Sequence, residues 1–433
     1  MPLPRSPRHT SVRSLIVGAG VSGLAAAAAL GRDHDLLILE AEPEIGGYCR
    51  TVKRQGFVWD YSGHFFHFKD PQIEAWLRSR MPDQQVRTVE RRSAISYAGR
   101  LIDFPFQKNI HQLPLPEFIE CLHDLYFASA NQLGSSGAPE PSFKQMLYAR
   151  YGQSIAEKFL IPYNEKLYGC DLASLDREAM GRFFPHADLA AVIRNMRAPE
   201  DDSYNRTFTY PEGGAIEYID ALASEVRSQA IALEEPLLEL DLERKLARTP
   251  ERTIGFERLI SSVPLPQLAQ LAQLPHDRGA FSWNKVLIFN LGFDAKGPTG
   301  IHWIYYPGST VFYRVGFYDN IFDTDRMSLY VEIGLGADQS FDRETMLARV
   351  LADLRSEGLC TDQKLVASHS VVLDPAYVHI SGRSNDEAAR LRTQLGEHDA
   401  YSIGRYGAWT YCSIEDNIKE ARALVQALQT RAG

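Results

Sequence analysis

The sequence predicts an α/β protein: a Rossmann-like dinucleotide-binding domain, an inserted helical domain and an antiparallel β-sheet domain. Three stretches carry that expectation. Residues 14–51 read strand, glycine turn, helix, strand and acid in order. Residues 104–200 have mostly helical patterning. Residues 281–334 are strand-rich and dense in aromatics. The chain returns to the first sheet after each excursion. The dinucleotide-binding domain is therefore expected to be discontinuous, over 12–92, 205–275 and 385–433. The helical domain is expected over 104–200 and the sheet domain over 93–103 and 276–384.

Each part of the first stretch has a physical reason. Residues 14–17 are apolar and β-rich, and Gly18, Gly20 and Gly23 follow in G-x-G-x-x-G spacing. Gly18 permits a tight turn out of the strand, and Gly20 lets a pyrophosphate approach the backbone. Gly23 and the alanines after it let the helix pack closely on the sheet, with its N-terminus facing phosphate. A second strand over 36–39 ends at Glu40, where a carboxylate can accept from ribose hydroxyls. An acid there disfavours a 2′-phosphate, which points to FAD or NAD rather than NADP. Glu44-Ile45-Gly46-Gly47, with Arg50 and Thr51 just beyond, then selects FAD. The diglycine lets a loop wrap back over the pyrophosphate. The run resembles the extended FAD fingerprint of the flavin amine oxidase and protoporphyrinogen oxidase superfamily.

Length and composition bound the rest. At 433 residues, two or three domains with ample core are expected. Net charge is −9 with no basic block, which argues against nucleic acid as a partner. The five cysteines, at 49, 121, 170, 360 and 412, contain no CxxC pair, so neither a metal site nor a disulfide frame is signalled. No apolar run is long enough to span a bilayer, and MPLPRSPRHTSVR lacks the apolar core of a signal peptide. A cytoplasmic location is expected.

Beyond the fingerprint, GFVWDYSGHFFHFK (56–69) reads as strand and turn around Gly63-His64. Its place directly after the fingerprint turns His64 towards the flavin. A helix and connection are expected over 71–90, then a hairpin over 94–106 turning at Gly99. Helices are expected over 116–130, from a Ser142 cap towards Gly152, and over 154–168 with an interruption at Pro162. Polar linkers are expected at 131–141 and 198–204. TFTYPEGGAIEYIDAL (207–222) puts glycines before a helix, again a loop packed against a ligand. Short strands over 230–263 end in LISSVP and return to the first sheet. A helix over 342–356 and a last helix over 413–429 follow, the latter with Ser413 and Asp416 in capping-box spacing. Its N-terminus could aim at the flavin C2 carbonyl and N1.

Five motifs, FPFQKNI (104–110), FLIPYNEKLY (159–168), NRTFTYP (205–211), VFYR (311–314) and GRYGAWTY (404–411), occur in the order seen in UDP-galactopyranose mutases. The resemblance is closer to the eukaryotic type and runs from about Ser14 to the end of the chain. It implies an isomerase that interconverts UDP-galactopyranose and UDP-galactofuranose. The FAD must be reduced, by NAD(P)H or another external donor, and its N5 attacks the anomeric carbon with no net redox change. A UDP-linked nucleotide sugar is the implied partner, and a homo-oligomer is compatible.

Carried over by position, Phe159 is similar to the aromatic that stacks on uracil, and Phe104, Gln107 and Asn205 match other uridine-side positions. Asn164 matches a diphosphate or sugar-side position. Arg314 matches the diphosphate arginine, with Tyr377 and Tyr411 on the phosphate oxygens. A second diphosphate arginine falls within one residue of Arg182. His64 matches the mobile histidine beside the flavin, Arg405 lies in the Gly-Arg turn that approaches the cofactor, and Asp416 joins the cofactor side. His64 and Arg314 are the catalytic candidates. The chain also departs from the pattern. Tyr168 replaces a tryptophan, and Ser62-Gly63-His64 replaces Gly-Gly-His. His67 takes the place of an aromatic, and Ile321 that of a sugar-site tyrosine. Sugar and nucleotide therefore stay open. Two other readings remain: a flavin oxidase or dehydrogenase of the amine oxidase or protoporphyrinogen oxidase type, and a non-catalytic flavoprotein. An arginine with two tyrosines suits a diphosphate, whereas an amine oxidase pocket is usually an aromatic cage.

Overall fold

The computed structural model describes residues 8–134, 142–197 and 206–432. Asn205 and most of the two expected linkers lie outside these residues. The first sheet is centred on Arg8–Val17, which pairs in parallel with Leu36–Leu39 on one side and Arg252–Ser261 on the other. Ile231–Ala232 and Ala400–Ser402 add further parallel strands. The first strand starts earlier than expected because its pairing already begins at Arg8 with Arg252. Leu36–Leu39 is buried at every residue, as a parallel strand covered on both faces must be. Helix Val21–Leu30 covers one face. Leu24, Ala25, Ala26 and Ala27 pack there with Ala421 and Val425 of the last helix, Ile414–Ala432. The small residues are required: a Cβ on Gly23 would run into the Gly18 carbonyl oxygen.

The second sheet is mostly antiparallel. Asn284–Phe293 lies between Ser328–Gly336 and Leu365–Leu373, and Arg314–Phe317 and Trp303–Tyr305 continue beyond Ser328–Gly336. The hairpin Ser93–Tyr97 and Arg100–Asp103 joins at the far edge, turning at Gly99 with φ of +73°. Alternation along the strands separates two cores. Leu287, Phe289 and Val331 pack with Val350 and Leu354 of helix Arg343–Ser356. Val286, Ile288 and Tyr330 face the helical region and the cavity.

The helical region comprises Leu115–Gly134, Phe143–Ile155 and Ile161–Tyr168. Ser142 caps the second by accepting from the Gln145 N–H. Both expected interruptions occur. Gly152 takes φ of +74° and kinks the helix. Ahead of Pro162 the chain widens into a π turn, Ala156–Leu160, so the proline falls in a first turn where its missing N–H does no harm. The lysine of the PYN-K motif has a structural task. Lys166 Nζ donates to the carbonyls of Tyr306 (2.8 Å) and Gly308 (3.0 Å), pinning the helix against the second sheet. No helix among the described residues is long and apolar enough to cross a membrane.

Asp60 sits where the two sheets meet, four residues before His64. It is fully buried. Its carboxyl accepts from Thr51 Oγ1 (2.6 Å) and the Ala215 N–H (3.0 Å), both on the first-sheet side. Its main-chain carbonyl accepts from Asn290 Nδ2 (2.9 Å) of the second sheet. Burial pushes this carboxyl up to about 7, with the two hydrogen bonds opposing. The contribution to stability is fully present below the ordinary carboxylate range and is lost as pH rises through about 7. Asp60→Asn should therefore flatten the fall in unfolding free energy between acid and pH 8 by about 2–4 kcal/mol. Urea titrations of both proteins at several pH values measure this. An identical pH slope would refute the assignment.

Candidate active site

The glycine turn builds a cradle of bare backbone. Gly20 N-caps helix Val21–Leu30 without any side-chain bond, so the first-turn N–H groups are left for another acceptor. Gly46 and Gly47 take φ of +111° and +56°, and a Cβ on Gly20 would lie only 3.9 Å from the Gly47 Cα. The two glycine loops thus approach across a narrow gap that side chains would fill. Glu40 stands at the end of its strand and accepts from the N–H groups of Ala19 (2.8 Å) and Glu42 (3.1 Å). Uncapped amides for a pyrophosphate and a placed carboxylate for a ribose fit a dinucleotide.

A cavity of about 420 Å³ lies between the second sheet, the helical region and the segment 405–414. Phe104, Gln107, Phe159, Asn164, Arg182, Arg314, Tyr377 and Tyr411 line it, together with His64, His67 and Arg405. Phe106, Phe159 and Tyr163 form a stack with ring centroids 5.2 and 5.1 Å apart. Near it two buried amide oxygens, Gln107 Oε1 and Asn164 Oδ1, have no hydrogen-bond partner. Their NH₂ groups are spent on the carbonyls of Pro185 and Leu160. Both oxygens are free acceptors, and a ligand with N–H or O–H groups would satisfy them.

Charged groups line the same cavity. Arg314 Nε and Nη2 both reach Glu332 Oε2 at 2.6 Å, between residues opposite each other on adjacent strands. Glu332 is 1% exposed and also accepts from Ser62 Oγ, two residues before His64. Burial would raise the Glu332 carboxyl, but Arg314 and the Ser62 bond carry it below its ordinary range. Burial would lower Arg314, and Glu332 holds it well above. The pair is therefore ionised. Burial, and then Arg405, depress His64 to about 4, so its imidazole is neutral. Its Nδ1–H donates to the Ser62 carbonyl (3.0 Å), which leaves Nε2 as the acceptor nitrogen. Tyr377 and Tyr411 lie nearly parallel, 15° apart in plane with centroids 6.0 Å apart.

Tyr168, Asp416 and Ile321 do not line the cavity, and Arg182 does. Tyr168 is buried behind the cavity wall, edge-on to Tyr377 at 5.8 Å, and does not line it. Asp416 does not line the cavity: it completes the capping box with Ser413 and takes Arg182 Nη2 at 2.6 Å. Arg182 lines the cavity while bound to that carboxylate, and its neighbour Phe183 packs edge-on against Tyr411 at 4.9 Å. Ile321 is buried in the core outside the cavity. Sequence reasoning missed Glu332 and Ser62. The available signal was an acid inside the otherwise apolar strand SLYVEIG.

A bare-backbone dinucleotide cradle on the first sheet, with a cavity between the second sheet and the helical region, defines an FAD-dependent flavoenzyme. The chain belongs to the flavin containing amine oxidoreductase family, whose model matches residues 21–385, and its cofactor is FAD. It is similar to the chloroplastic protoporphyrinogen oxidase 1 of Arabidopsis thaliana, 26% identical over 176 residues, or 38% of this chain and 32% of that protein. The alignment thus spans about a third of that relative's length. Its fold is similar to that of a reduced UDP-galactopyranose mutase, with a TM-score of 0.88 and 22% identity, covering 97% of this chain and 94% of that one. It is also similar to cyclohexylamine oxidase from Brevibacterium oxydans IH-35A, with a TM-score of 0.71 and 15% identity, covering 97% and 99%.

The Arg314–Glu332 pair yields a stability test. Glu332→Ala strands a buried guanidinium and should lower unfolding free energy by about 3–5 kcal/mol. Arg314→Met with Glu332→Leu should recover most of that loss. Chemical denaturation measures both. A single variant within about 1 kcal/mol of the parent would contradict the pairing.

Proposed function

We propose that the chain is an FAD-dependent, mutase-like enzyme that acts on a nucleotide sugar and interconverts its pyranose and furanose forms. The observation that carries this reading is one cavity that brings arginines and phenols together with an aromatic stack and two free amide oxygens. A nucleoside diphosphate sugar has the matching chemistry. Glu332 occupies the Nε edge of Arg314, which leaves Nη1 to meet a phosphate oxygen, and the Tyr377 and Tyr411 hydroxyls can donate beside it. These groups would take up the charge of a departing diphosphate. Phe159 and Tyr163 line the cavity and offer aromatic surface for a base, and the free oxygens of Gln107 and Asn164 offer acceptors for its N–H groups. Neutral His64 can accept from a sugar hydroxyl. When bound and reduced, FAD supplies the electron pair for exchange at the anomeric carbon.

A second reading has its own support. The parallel Tyr377 and Tyr411 rings could flank an amine, and oxidases stand among the similar proteins. Three arginines on the same cavity count against a cationic substrate. The test is an anaerobic assay of dithionite-reduced and oxidised enzyme with UDP-galactofuranose and other nucleotide sugars, read by chromatography. The expected outcome is isomerisation by the reduced enzyme alone, with the flavin still reduced at the end. Stoichiometric flavin reduction by an amine, with no isomerisation of any nucleotide sugar, would establish the second reading instead. Because His64 is already neutral, kcat/KM should show no break near the ordinary histidine pKa of about 6.5. A break there, absent in His64→Asn, would show that the imidazole titrates.

A further inference from the structure

Arg405 is the cavity arginine whose charge is uncompensated. Arg314 has Glu332, and Arg182 has Asp416. No carboxylate among the described residues lies within 4.0 Å of the Arg405 guanidinium. Its Nη2 donates to the Cys412 carbonyl at 2.6 Å, and the guanidinium lies over the Tyr411 ring at 4.9 Å. The titratable groups that face it are Tyr377, Tyr406, Tyr411, Cys412, Cys49 and His64. Burial keeps the phenols and thiols protonated and His64 neutral. Glu420 is close by but accepts from the Gly404 N–H and pairs with Arg392. A partly buried guanidinium without a carboxylate partner is costly, so the site is suited to receive an anion.

The anchoring says which anion. Arg314 comes from the second sheet and Arg182 from the helical region. Arg405 is held by the dinucleotide scaffold. Its N–H donates to Asn417 Oδ1 (3.1 Å), which also accepts from Ser22 Oγ (3.0 Å) in the first turn of the helix after the glycine loop. Gly404 packs so tightly on Ser22 that a Cβ there would clash with its hydroxyl. The turn that carries Arg405 is thus fixed to the element that holds the FAD phosphates, and its guanidinium faces the cavity beside His64. We infer that Arg405 is the counter-charge of the anionic two-electron reduced flavin. Reduction adds two electrons and one proton to FAD, and the resulting negative charge is stabilised by this arginine. The inference rests on FAD binding alone. It stands or falls independently of the nucleotide-sugar reading.

The experiment compares wild type, Arg405→Lys, Arg405→Gln and Arg405→Met as FAD-loaded proteins. Dye-coupled reductive titration gives the midpoint potential, and a pH titration of the reduced flavin's absorbance gives its ionisation. The wild type should ionise its reduced flavin at a lower pH than free reduced FAD. Arg405→Gln and Arg405→Met should weaken the anion at least about ten-fold, raising the ionisation by about one pH unit and lowering the potential by about 30 mV. Arg405→Lys should stay near wild type. A wild type whose reduced flavin ionises no lower than free FAD would overturn the inference. So would unchanged potential and ionisation in Arg405→Gln, or equal shifts in the Lys and Gln variants. If Arg405→Met fails to retain FAD, the Lys and Gln pair decides. Loss of UDP binding with both flavin readouts unchanged would reassign Arg405 to a ligand phosphate.

Discussion

The buried ion pair between Arg314 and Glu332 is the constraint on which the site depends. It joins two strands of the second sheet, and through Ser62 it ties that sheet to the loop carrying His64. Asp60 fastens the same loop from the other side, through Thr51, Ala215 and Asn290. The relation between cofactor scaffold and substrate wall is thus set by polar bonds in a nearly dry junction. Such bonds are directional, and leaving one partner unmet is expensive. They can specify a single geometry where apolar packing alone tolerates several.

Charge is distributed with a division of labour. Arg314 arrives neutralised, so it contributes hydrogen-bond direction more than net charge. Arg182 is held by a carboxylate that also caps the last helix, and it is the more exposed of the paired arginines. Among the cavity arginines, Arg405 has no carboxylate within 4.0 Å among the described residues. His64 adds none, because burial keeps it neutral. A weakly positive cavity with aromatic and amide groups in its lining follows from that arrangement, and it suits an anion better than a compact cation.

Much of the fold was legible in the chain. The glycine fingerprint, the acid at Glu40 and the diglycine at Gly46-Gly47 are local signals whose geometry follows from backbone sterics, and the α/β class expected from them is the one found. Ser142, Gly152, Pro162 and Gly99 also act where local rules place them. The site was less legible. Glu332 becomes informative only once strand register sets it opposite Arg314. Asp416 reads as a capping residue from sequence, yet its second partner, Arg182, lies 234 residues away. Tyr168 and Ile321 fall within site-like motifs, but packing turns them into the core, and nothing local distinguishes a core tyrosine from a lining one.

The central claim is that this cavity receives a nucleoside diphosphate at Arg314. It is tested most directly by titrating the oxidised flavoprotein with UDP and, separately, with cyclohexylamine, following the flavin absorbance. The account predicts saturable perturbation by UDP that weakens at least about ten-fold in Arg314→Ala, with little response to the amine. Tight amine binding, with no response to UDP or an equal response in Arg314→Ala, would contradict it.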